Sequence, residues 1–77
     1  MLARVTTIIK GRLRMIEVYI VDSGDKLYAD TLVIVDREGK EVMTLSTETM
    51  EFRMIYFFDI ISIEYNSDTR LCKLVLR

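Results

Sequence analysis

The 77-residue chain has no histidine, no proline, no tryptophan and no glutamine, a single cysteine, a single asparagine and three glycines. Each absence closes off some chemistry. Without histidine there is no ordinary zinc site and no imidazole to serve as a general base near neutral pH. Cys72 stands alone, so no disulfide can form within the chain, and a free thiol points to a reducing compartment, read here as the cytoplasm. Strand alternation puts Cys72 beside Leu74 on an inner face, which predicts a buried, unreactive thiol. The glycines are isolated from one another, which excludes a glycine-rich phosphate cradle. Depleted amides beside plentiful Arg, Lys, Glu and Ile suit a thermophile.

No apolar run approaches the roughly 20 residues that cross a bilayer, and residues 1–12 lack the pattern of a signal peptide. The acids suggest no site either. Most of the 12 sit at turns or outward strand positions, the usual place of solvated charge. Asp22-Ser23-Gly24-Asp25 followed by Asp30 lacks the alternating ligands and distal glutamate of an EF-hand loop. The expectation is a non-enzyme with no metal and no cofactor.

Hydrophobic residues make up 51% of the chain and mean hydropathy is +0.22. A chain this short buries only about 60% of the surface its unfolded form exposes, so the excess must go into a core or a partner. Five turn compositions punctuate the sequence: Lys10-Gly11, Asp22-Ser23-Gly24-Asp25, Asp36-Arg37-Glu38-Gly39, Ser46-Thr47-Glu48-Thr49 and Asn66-Ser67-Asp68-Thr69. Between them the apolar period is two, as in Ile16, Val18 and Ile20, or Ile61, Ile63 and Tyr65. This predicts one all-β domain over 1–77. The expected form is a six- to seven-stranded antiparallel meander forming a small barrel or strongly curved sheet, with strands near 2–10, 13–22, 27–36, 40–46, 51–57, 60–66 and 69–76. One stretch is ambiguous: Met50, Met54, Phe57, Phe58 and Ile61 also fit helical spacing, so a short helix within 49–60 is the alternative.

Several strands are apolar on their second face as well. Met15, Tyr19, Val21, Val33, Val35, Ile55 and Phe57 form that set, and they are the candidate interface of a homo-oligomer or a protein partner. Charge is segregated. Arg4, Lys10, Arg12 and Arg14 lie in residues 1–14, and Arg70, Lys73 and Arg77 in residues 69–77, with no acid in either segment. If the first and last strands are neighbours, these seven make one basic stripe able to hold nucleic acid or an anionic surface. Two functions follow: a non-catalytic module that self-associates through an apolar face or open strand edge, and a small β-barrel binding nucleic acid through that stripe.

The segments Leu32-Val33-Ile34-Val35-Asp36, Val42-Met43-Thr44-Leu45 and Ile55-Tyr56-Phe57-Phe58-Asp59-Ile60-Ile61-Ser62-Ile63-Glu64 resemble a PH-like or GRAM-type module. That resemblance implies binding of a protein, peptide or lipid headgroup. Where the family places a closing C-terminal helix, strand pattern continues here to Arg77, which implies that a partner or second copy covers that end. Val18-Tyr19-Ile20-Val21-Asp22-Ser23-Gly24, with Tyr28, Leu32 and Asp36, is also similar to the first motif of Sm-like barrels, without the Arg-Gly step of the second motif. That likeness implies ring assembly and RNA binding.

Overall fold

The computed structural model describes residues 1–48 and 54–77, and among these the chain is all β, with no helix. The strands are β1 (Ala3–Lys10), β2 (Leu13–Ile20), β3 (Lys26–Ala29), β4 (Thr31–Val35), β5 (Glu41–Ser46), β6 (Met54–Phe57), β7 (Ile60–Asn66) and β8 (Leu71–Leu76). The all-β expectation is met, with eight strands in two four-stranded sheets. The first sheet runs β3-β2-β1-β6 and the second β5-β4-β8-β7. The order departs from a plain meander at two places: β6 returns to pair with β1, and β8 lies parallel to β4. Residues 54–57 of the ambiguous stretch are strand; residues 49–53, which include Met50, Phe52 and the start of the expected 51–57 strand, lie outside the described residues.

Period-two patterning supplies the core. Ala3 and Val5 of β1, Ile16 and Val18 of β2, Ala29, Leu32 and Ile34, Ile60, and Cys72 and Leu74 of β8 form one aliphatic cluster between the sheets. Leu27, Leu45, Phe57, Ile63 and Leu76 pack around it. Burial on this scale is the main force holding so small a chain together, at about 25 cal/mol for each Å2 of apolar surface removed from water.

The chain changes sheet at tight corners. From β3 to β4 there is one residue, Asp30, whose N–H donates to Arg70 O (2.9 Å) and whose carbonyl accepts from Thr47 N–H (3.0 Å). From β6 to β7 there are two, Phe58 and Asp59, with Asp59 at φ 55°. Tyr65 Oη, from β7 in the second sheet, donates to Tyr28 O of β3 in the first at 2.6 Å, tying the two edges together. The β1–β2 hairpin turns through Gly11 and Arg12 alone; only Gly11 has positive φ, the requirement of a type II′ turn.

The second sheet's edge strands each carry a bulge. Ile34 opposes Met43 and Val35 opposes Glu41, leaving Val42 unpaired; Ile60 opposes Leu76 and Ser62 opposes Val75, leaving Ile61 unpaired. Bulges kink an edge and discourage another strand from adding to it.

The proposed second apolar face is largely absorbed by the fold. Met15 and Val35 are buried. Ile55 and Phe57 pair with Val5 and Ala3 and so turn toward the core, reversing the expected phase of β6, and bulky Phe57 sits opposite small Ala3. Tyr19 and Val33 are half-buried, and Val21 alone of the seven is exposed.

Cys72 is buried as expected, and burial pushes its thiol from 9.0 up to about 11. The unfolded chain therefore loses this proton first. Stability is unaffected by this group below about pH 9 and falls as pH rises from about 9 through about 11. Urea unfolding of wild type and Cys72→Ser across pH 8–11 checks this: the wild type is expected to lose stability more steeply above pH 9, whereas parallel curves contradict it.

Candidate ligand-binding face

The seven basic residues do not form one stripe. β1 lies between β2 and β6, and β8 between β4 and β7, so the first and last strands belong to different sheets. Arg4, Lys10, Arg12 and Arg14 stay together on the β1–β2 hairpin. Arg70, Lys73 and Arg77 lie with the second sheet, where Arg70 pairs with Asp30 and Lys73 with Glu64, both at 3.4 Å. No ion pair among the described residues involves the hairpin cations.

Around Arg4 the first sheet gathers residues that are distant in sequence. Its outward positions follow from register. Arg4 opposes Tyr19 on one side and Tyr56 on the other, and Tyr19 in turn opposes Lys26, giving the row Lys26–Tyr19–Arg4–Tyr56 across four strands. The next row is Tyr28–Glu17–Thr6–Met54. Phe58, two positions beyond Tyr56, stacks on it with centroids 6.5 Å apart and planes 26° from parallel.

The Tyr19 ring is shared by two cations, with Arg4 Cζ 4.9 Å and Lys26 Nζ 6.0 Å from its centroid. A cation over an aromatic face is held by the ring quadrupole, worth about 0.5–1 kcal/mol at an exposed site. Arg4 Nε is enclosed and has no hydrogen-bond partner among the described residues. Tyr56 and Phe58 remain 48% and 65% exposed.

These two rows carry aromatic rings, two cations held over one of them and one carboxylate, Glu17. Among the described residues no group of three or more His, Cys, Asp or Glu is placed to hold a metal ion.

Of this set, Arg4 and Tyr19 stand out in the sequence, Tyr19 as an apolar contact. Lys26, Tyr56 and Phe58 do not. The available signal is parity, since Met54, Tyr56 and Phe58 alternate with Ile55 and Phe57. What sequence does not supply is the pairing of β6 with β1. Protein-family models, curated proteins and solved structures were compared with this chain, and none matched.

Arg4 offers a check on what the face is for. Arg4→Met keeps the aliphatic stem and removes both the cation–π contact and the unsatisfied donor, two effects of opposite sign. Its unfolding free energy is expected to lie within about 1 kcal/mol of wild type in urea. A loss above about 2 kcal/mol shows instead that the guanidinium is a structural element.

Proposed function

We propose that this chain is a non-catalytic binding module that holds single-stranded nucleic acid across the outer face of its first sheet. The observation that carries the reading is the row Lys26–Tyr19–Arg4–Tyr56 with Phe58 stacked at its end. Open aromatic faces accept unstacked bases of any sequence, and cations among them follow the phosphates. Lys10, Arg12 and Arg14 extend the positive field along the projecting hairpin, where no carboxylate among the described residues neutralises them. Four strands at about 4.8 Å spacing span roughly 15 Å, a width suited to a few nucleotides. Bases in a duplex are already stacked and paired, whereas unpaired bases can splay out onto aromatic rings such as Tyr56 and Phe58, and this favours single strands over duplex.

Fluorescence anisotropy with a labelled oligothymidine and its duplex tests the reading. Tyr56→Ala and Phe58→Ala are each expected to weaken single-strand binding about five- to hundredfold, from the roughly 1–3 kcal/mol of a base–aromatic stack. Removing Arg12 and Arg14 is expected to flatten the log–log salt dependence by about 0.7 for each phosphate that these arginines neutralise in the wild type. Duplex bound as tightly as single strand, or unchanged affinity in both aromatic variants, overturns it.

Self-association, the other reading, is favoured by one observation. At the tip of the β1–β2 hairpin Ile9 and Leu13 are 70% and 60% exposed, beyond the reach of the core. Aliphatic groups this open gain by burial against a second copy. Sedimentation equilibrium at micromolar concentration is then expected to give a mass above 9.0 kDa that returns to the monomer value in Ile9→Ser/Leu13→Ser. A wild-type monomer rules this reading out and leaves the nucleic-acid reading untouched.

A further inference from the structure

A second site, independent of the aromatic face, lies at one end of the second sheet. Strands β4 and β8 run parallel, with Val35 opposite Val75. Two residues past that pair stand Arg37, in the turn that follows β4, and Arg77, just beyond the end of β8. Parallel pairing thus delivers two guanidinium-bearing residues to the same end of the sheet, although they are far apart in sequence. An antiparallel arrangement would send them to opposite ends. The β7 bulge adds a third component. It leaves Ile61 without a partner in the ladder and 46% exposed. Arg37, Ile61 and Arg77 line a pocket of about 260 Å3.

The charges there are uncommitted. Neither Arg37 nor Arg77 forms an ion pair among the described residues. The neighbouring carboxylate of Asp36 is occupied within its own turn, where Oδ1 accepts from Glu38 N–H and Lys40 N–H at 2.9 Å each. Asp59 meets Arg77 through the backbone, its carbonyl accepting from Arg77 N–H at 3.0 Å. Two planar guanidiniums at one opening suit a tetrahedral oxyanion, because each presents paired donors to two of its oxygens. The pocket volume is several times the roughly 30 Å3 of a water molecule, so a phosphoryl group does not fill it. Ile61 gives the remaining wall an apolar surface.

The geometry points to a binding site for a phosphate monoester carrying a small apolar group, with Arg37 and Arg77 on the phosphoryl oxygens and Ile61 against the substituent. Amide-resolved NMR titration with inorganic phosphate and with phenyl phosphate, at constant ionic strength, tests this. Saturable shifts are expected at Arg37, Ile61 and Arg77, with phenyl phosphate the tighter ligand. Arg37→Ala and Arg77→Ala are each expected to weaken both ligands about tenfold, as for loss of a charge-assisted hydrogen bond. Ile61→Ser is expected to abolish the preference for phenyl phosphate while leaving inorganic phosphate bound. All three side chains are exposed, and the same spectra report whether each variant is folded.

Shifts that never saturate, or that survive in Arg37→Ala/Arg77→Ala, overturn the proposal, as does equal affinity for the two ligands in the wild type. Co-sedimentation with phosphatidylcholine vesicles containing phosphatidic acid separates the two sources of such a monoester. Retention that depends on both arginines assigns it to a lipid headgroup, and release into the supernatant to a soluble ester.

Discussion

Asp30 is the only residue between β3 in the first sheet and β4 in the second, and both of its backbone polar groups are satisfied across that step. Its N–H reaches Arg70 O and its carbonyl receives Thr47 N–H, while its carboxylate meets the Arg70 guanidinium. A corner this short leaves little freedom in where β4 begins. Because it is bound to Arg70, it also sets where β8 begins, and the parallel ladder starts one residue later with Thr31 opposite Leu71. From that register come the pairing of Leu32 with Cys72 and of Ile34 with Leu74, four of the fully buried side chains of the core. The exposed ion pair contributes at most about 1 kcal/mol. The backbone bonds matter more, since polar groups left unmade at a sheet-to-sheet corner would be costly.

The two proposed binding surfaces differ in how they arise. On the first sheet, cations and aromatics are brought together sideways, by strand neighbours, and hold one another through ring faces. At the end of the second sheet, arginines are brought together lengthwise, by two strands that run the same way. The row Lys26–Tyr19–Arg4–Tyr56 lies wholly on strands, whereas Arg37 stands in the β4–β5 turn and Arg77 just past β8. A row fixed by ladder register is already ordered before a ligand arrives, so less conformational entropy remains to be lost on binding.

Much of the fold is legible in the residues. Period-two alternation locates most of the strands, although the expected 27–36 strand is divided at Asp30 into β3 and β4 of different sheets; the turn compositions mark the hairpins, and Cys72 falls beside Leu74 in the core. The strand order is not legible, because alternation says which face a residue takes and nothing about which strand lies beside it. That gap explains the basic set. Arg4 and Arg70 look like members of one stripe only while β1 and β8 can be neighbours. The phase of β6 is hidden for a related reason: Met54, Ile55, Tyr56 and Phe57 are all apolar or aromatic, so composition does not separate inner from outer. Only opposition to Ala3 and Val5 decides it. Bulges defeat alternation altogether, as at Ile61, which period two assigns to the same face as Ile63.

The strand order also governs how the chain reaches this structure. The β1–β2, β4–β5 and β7–β8 hairpins close over a few residues and can form within about 1–10 μs. The β1–β6 pairing and the β4–β8 ladder cannot, since each joins segments separated by half the chain or more, and the entropy of closing those loops is lost before any contact compensates for it. Closing these non-local pairings, rather than the hairpins, is the slower part of folding by this topology. Folding of this kind belongs on the millisecond-to-second scale of non-local β topologies, slow for so short a chain.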